Sequence, residues 1–132
     1  MTSRRFILAA ACCAAAGLAI PTAQAMTRAK FTQEALTAAQ NAGKPILIEV
    51  HADWCPTCAK QRPIINSLIQ QPELKDLVVL TVDFDQQKDV LKALGVTTQS
   101  TLIAMHGKVE KDRATGITAE DMIKALVMKT LA

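Results

Sequence analysis

Ile46-Leu47-Ile48-Glu49-Val50-His51-Ala52-Asp53-Trp54-Cys55-Pro56-Thr57-Cys58 runs from an apolar stretch into two cysteines separated by two residues. Ile46–His51 is rich in aliphatic and β-branched side chains and reads as a strand buried in a parallel or mixed sheet. Pro56 suits the first turn of a helix, where its missing N–H leaves no intrahelical bond unmade. Cys55 therefore falls at a helix N-cap, where the positive end of the macrodipole favours a thiolate. Two cysteines at this spacing can close a small disulfide ring and exchange it with other thiols. The stretch predicts a redox-active dithiol at a strand-to-helix junction.

Upstream, residues 1–25 have the pattern of an export signal. Arg4 and Arg5 form a positive start, Phe6–Ile20 is continuously apolar and Ala-rich, and Ala23-Gln24-Ala25 after Pro21 supplies the small residues of a cleavage site. The apolar run falls short of the ~20 residues that a membrane-spanning helix needs. Ser3-Arg4-Arg5-Phe6-Ile7-Leu8 is also compatible with the twin-arginine route, so both that route and the general secretory route are open. Cys12 and Cys13 lie inside the apolar run and would be discarded with it. Cleavage also removes Arg4 and Arg5, bringing the net charge of +3 nearer to neutral and giving no electrostatic reason to expect nucleic acid as a partner. Residues 26–132 make one domain with one core, undivided by any Gly/Ser/Pro-rich linker. Of the four cysteines only Cys55 and Cys58 would remain, too few for a disulfide-stapled scaffold. Export would place them in an oxidising compartment, a bacterial periplasm.

The rest of the domain alternates strands and helices. Phe31–Ala42 predicts an extra N-terminal amphipathic helix, capped by Thr32, stapled by Phe31 against Leu36 and ended by Gly43. A second helix runs from Pro56 to about Gln71, with Pro63 inside it, Pro72 at its end and Ile64, Ile65, Leu68 and Ile69 on its apolar face. Leu77–Asp83 is a Val/Leu-rich strand, followed by a short helix from Gln86 to Leu94 closed by Gly95. Thr101–Met105 and Lys108–Ala114 read as a hairpin turning at His106-Gly107. The final helix opens on a capping box, Thr118-Ala119-Glu120-Asp121, and is expected to turn Met122, Leu126 and Leu131 inward.

This order, together with Trp54-Cys55-Pro56-Thr57-Cys58, Pro63, Glu49 before the motif, Val82-Asp83-Phe84-Asp85, and the segment from Gly95-Val96 through Thr101-Leu102-Ile103 to His106-Gly107-Lys108-Val109, resembles the thioredoxin superfamily. The resemblance covers nearly all of 26–132. It implies an α/β fold with a central four-stranded mixed sheet flanked by helices. It also implies a substrate groove lined by Trp54, Pro56, Thr57, Ser100 and Thr101. At Ser100 the sequence departs from the family, which usually carries a cis-proline there. A cis bond without proline costs about 2.5–4 kcal/mol, so Gln99–Ser100 is expected to be trans, leaving more room beside Cys55. Pro-Thr between the cysteines also differs from the Gly-Pro of cytosolic thioredoxins.

In this reading Cys55 is the nucleophile, the more exposed of the two thiols, and Cys58 resolves the mixed disulfide. Together they form the expected disulfide. Glu49, desolvated beneath the motif, is the candidate to pass a proton to or from Cys58. His51 and Asp53 lie close in sequence, and His51 could support the Cys55 thiolate. Lys60 and Arg62 read as a solvated face, Trp54 as a side chain packed beside the motif, and Met105 and His106 as parts of a hairpin.

The leading expectation is a periplasmic thiol–disulfide oxidoreductase that exchanges two electrons with protein substrates, with a slight lean to reductase. It would need no organic cofactor, since the dithiol carries the electrons. Its partners would be protein thiols and disulfides and one redox partner. It would be a monomer with no stable membrane anchor. A metal module built on the two thiols plus His51, and a redox-inactive scaffold, are the alternatives; a closed tetrahedral site would need a fourth ligand.

Overall fold

The computed structural model describes residues 27–132, and the segment read as an export signal, 1–25, lies outside them. Five strands form one sheet in the order β1-β3-β2-β4-β5: β1 (Thr27–Lys30), β2 (Pro45–His51), β3 (Val78–Asp83), β4 (Thr101–His106) and β5 (Val109–Thr115). β1, β3 and β2 run parallel, whereas β4 is antiparallel to β2 and β5 antiparallel to β4. The sheet thus has one strand more than the sequence predicts. β1 is only four residues, Thr-Arg-Ala-Lys, too short to show alternation, and it is held by the register Thr27↔Val78 to Lys30↔Thr81.

Four α-helices cover the sheet: α1 (Gln33–Asn41), α2 (Pro56–Leu68), α3 (Lys88–Leu94) and α4 (Glu120–Met128). Central strand β2 is buried on both faces, and the alternation of its side chains divides the core in two. Ile46, Ile48 and Val50 pack with Leu36 and Ala39 of α1 and Leu91 of α3. Leu47 faces the other way, among Ile65 and Leu68 of α2 and Ile123, Leu126 and Val127 of α4. Glu49 and His51 share the Leu47 face, so β2 delivers a carboxylate to the side of the sheet that carries the cysteine helix.

Local chemistry explains most of the boundaries. Thr32 caps α1 by accepting the Ala35 N–H at 3.0 Å, Phe31 and Leu36 meet in one core cluster, and Gly43 follows the helix in the left-handed region. α2 ends at Leu68, before Gln71, and Pro72 then opens a short 3-10 turn, Pro72–Leu74. α3 starts two residues after the expected Gln86. The β4–β5 hairpin turns at Gly107-Lys108, one position later than expected, because Gly107 supplies the positive φ that a tight hairpin turn needs.

The last helix departs most from expectation. Its N-cap is Ala119 and no side chain caps it, so the predicted box does not form. Its inward stripe is Ile123, Leu126 and Val127, while Met122 and Leu131 are 53% and 37% exposed. Residues three and four apart share a helix face, and Met122 lies one step, about 100°, off the Ile123 stripe.

Candidate active site

β2 ends at His51, and a tight turn through Asp53 and Trp54 delivers Cys55 to the N-cap of α2. Pro56 occupies the first helical turn, as the spacing requires. Both cysteines are free thiols. The Cys58 backbone N–H donates to Cys55 Sγ at 3.1 Å, so one of the helix's unsatisfied donors points at that sulfur. The Cys58 thiol faces the Val50 carbonyl at 3.8 Å. Burial is the main force on Cys58 and pushes its thiol up to about 11; the neighbouring Cys55 sulfur adds to the rise, while the backbone N–H groups of Ala52 and Ser100 oppose it.

Cys55 is not the more exposed thiol: the two residues are 2% and 3% accessible. The reason is local packing, since Ala52, Cys55 and Cys58 form a small cluster against the half-buried Phe84. Trp54 meets the same ring edge-on, with centroids 6.2 Å apart, and Lys88 Nζ lies 4.2 Å from its centre. Trp54 itself is 57% exposed, and its indole N–H donates to Asp85 Oδ2 at 2.8 Å. Pro56 is exposed and Thr57 half-buried beside it.

Ser100 and Thr101 lie across from the motif at the start of β4, both buried. No peptide bond among the described residues is cis, as expected for Gln99–Ser100. Ser100 instead takes φ +60, the only positive φ among the described non-glycine residues. Its N–H donates to Val50 O at 2.9 Å, and its carbonyl accepts from Gly116 N at 3.1 Å and Gln61 Nε2 at 3.1 Å. The Thr101 hydroxyl donates to Thr98 O at 2.8 Å and accepts from Thr115 Oγ1 at 2.8 Å.

Glu49 is buried, and three donors converge on its Oε1: Arg62 Nη2 at 2.9 Å, Arg28 Nη1 at 3.1 Å and the Thr81 hydroxyl at 2.6 Å. The carboxylate is thus tied to two guanidiniums and a hydroxyl. The structure brings it into polar contact with neither cysteine among the described residues. Arg62 does not belong to the solvated face predicted for it; it turns inward to Glu49, whereas Lys60 stays exposed. Burial draws Arg28 downward, Glu49 holds it up, and the nearby Arg62 guanidinium adds to the lowering.

His51 pairs with Asp53 at 3.2 Å, and among the described residues no hydrogen bond joins it to either thiol. Among the described residues no three His, Cys, Asp or Glu side chains converge as a metal-binding group. An open cleft of about 410 Å³ lies beside the motif, lined by Arg28, Lys30, His51, Asp53, Arg62 and Asp85 among others. Met105 is buried and the His106 ring bonds Thr130 O at 2.7 Å, both structural positions. Sequence reading missed Arg28, Gln61 and Thr81, and named Asp85 only within a strand end, without its bond to Trp54. Each is an ordinary polar residue whose partner lies far away along the chain, so no local pattern marks it.

A family model described as Thioredoxin matches residues 22–129. Thioredoxin H4 of Arabidopsis thaliana is 30% identical over 95 residues, covering 72% of this chain and 79% of that protein. A thioredoxin H-type of Brassica campestris is 33% identical over 94 residues, covering 71% and 74%. Among solved structures, Trxlp from Edwardsiella tarda EIB202 superposes with a TM-score of 0.75 at 37% identity, over 76% of this chain and 98% of that one.

Proposed function

The chain belongs to the thioredoxin family and is a thiol–disulfide oxidoreductase, and on that premise we propose that Cys55 and Cys58 carry two electrons to or from protein substrates in a periplasm. The carrying observation is the Cys58 N–H donated to Cys55 Sγ at the start of α2. Cys55 attacks a substrate disulfide as the thiolate, forming a mixed disulfide and releasing one substrate thiol. Cys58 then loses its proton, attacks Cys55 Sγ, closes the Cys55–Cys58 bond and releases the second substrate thiol. The substrate is reduced and the pair is oxidised; run backwards, the same steps oxidise a substrate. No organic cofactor enters the exchange, and a separate redox partner restores the pair.

The likeness to the family supports assigning the docking groove to Trp54, Pro56, Thr57, Ser100 and Thr101. Glu49 stands beneath the motif as part of an ion-paired group, which supports a structural part in setting α2 more directly than a proton relay. The export pattern of residues 1–25 supports the periplasmic location, by either the general or the twin-arginine route. No helix among the described residues is long and apolar enough to cross a membrane. We propose a monomer that leans toward the reductase direction.

The reduction potential of the 26–132 protein tests the direction. A two-electron transition near ~−270 mV supports a reductase, and one near ~−120 mV an oxidase. A Cys58→Ser variant should accumulate mixed disulfides with its substrates in the export compartment, and Cys55→Ser should form none. Absence of any such adduct from Cys58→Ser refutes the assignment of the two thiols.

A further inference from the structure

Gln61 is a buried polar side chain on α2, one turn beyond Cys58 and therefore on the same helix face. Its amide nitrogen donates twice, to Ser100 O at 3.1 Å and to Ile117 O at 2.9 Å. Both acceptors are backbone carbonyls, one at the entrance to β4 and one in the loop between β5 and α4. A lone glutamine placed so deep would cost free energy without these partners. With them it ties the cysteine helix to the two segments that face it.

What it ties is under strain. Ser100 holds a left-handed backbone that a residue with a Cβ normally avoids, and such a conformation persists only where the surroundings over-determine it. The determinants here are the Ser100 N–H on Val50 O, the Gly116 N–H on Ser100 O and the Gln61 amide on the same carbonyl. Val50 O is also the carbonyl that the Cys58 thiol faces. The Ser100 N–H thus stands beside the sulfur of Cys58, and its direction depends on the strained turn.

We propose that Gln61 is a positioning residue for the resolving step: it holds Ser100 in its left-handed conformation and so keeps the Ser100 N–H against Val50 O, beside Cys58. This rests on the assignment of Cys58 as the resolving thiol. The Ser100 N–H also reaches the Cys58 sulfur, where it favours the charged form, so a thiolate developing on Cys58 shares with Val50 O a donor that is already turned toward it. Gln61 touches no reacting atom.

The experiment uses reduced protein and one equivalent of Ellman's reagent, followed by stopped flow. Cys55 attacks the reagent disulfide and releases one nitrothiobenzoate, leaving the other on its sulfur. Cys58 gives up its proton to solvent, attacks Cys55 Sγ and releases the second. Two nitrothiobenzoates per reagent are therefore expected from the unaltered protein. Gln61→Met, close in shape but without donors, should leave the first phase within about twofold and slow the second roughly tenfold, the rate equivalent of one lost buried hydrogen bond. Glycine adopts the left-handed region freely, so Ser100→Gly added to Gln61→Met should recover most of that loss. Should Gln61→Met not fold, Gln61→Asn keeps the amide but withdraws it by a methylene, and the same slowing and rescue are read.

A single release per reagent from the unaltered protein overturns the dithiol reading itself. Two releases with an unchanged second phase in the Gln61 variants leave that reading intact and overturn the positioning role. So does a slowing that Ser100→Gly fails to relieve, because Gln61 then acts by some other route than Ser100.

Discussion

At the scale of single residues the site is a contrast between two thiols that are equally covered but differently served. Cys55 receives the Cys58 N–H, whereas Cys58 is dominated by burial and held up to about 11. This contrast fixes the sign of a pH effect. Ionisation of Cys58 is penalised in the fold, so the unfolded chain loses that proton first as pH rises above the ordinary thiol value of 9.0. The stabilisation is present below that value and is lost as pH climbs toward 11. Reduced protein should therefore lose stability over that window relative to Cys58→Ser, measured by urea unfolding in buffers from pH 8 to about 11. Glu49 gives a second test. Glu49→Gln leaves two guanidiniums around a neutral amide and should cost about 2 kcal/mol, less than the ~3–5 kcal/mol of a fully buried pair because both arginines reach solvent. The resemblance to the family placed Glu49 beneath the motif. It could not show that Arg28 and Arg62 meet there, because that meeting depends on β1 docking against β3 and on the rotation of α2.

At the scale of elements, the junction from β2 to α2 was legible because proline, the cysteine spacing and the apolar run all impose local constraints. The segment entering β4 was legible only in part. The sequence located Ser100 opposite the motif and required a trans bond, yet the left-handed turn comes from contacts with Val50, Gly116 and Gln61 that no window around residue 100 contains. That turn makes a directional prediction. Ser100→Pro would demand φ near −65° where the chain holds +60 and would delete the N–H donated to Val50 O. It should cost about 3 kcal/mol or more, seen as a fall in the urea midpoint without a change in slope. α4 teaches the complementary lesson: its place was read from a capping box that does not form and from the apolar residues after it, but its phase was not legible, since Met122 and Ile123 are both apolar and only the packing against β2 and α2 selects between them.

At the scale of the whole molecule, a sheet buried on both faces makes two cores share the same strands. Ile48 belongs to the α1/α3 side and Ile123 to the α2/α4 side, each fully buried. Ile48→Ala and Ile123→Ala should each cost about 2–5 kcal/mol in urea unfolding. Because the two side chains lie in separate clusters, their costs should add to within about 0.5 kcal/mol in the double variant. The alternating order of elements made this two-sided layout readable in advance; the fifth strand escaped because four residues at an edge leave no pattern. One further consequence follows from Trp54. The chain has a single tryptophan and no tyrosine, and that indole is bonded to Asp85 and set edge-on to Phe84, the ring against which both cysteines pack. Its ultraviolet emission therefore comes from one fluorophore seated at the motif, so opening and closing of the dithiol should register as a change in intrinsic brightness, without dye or label.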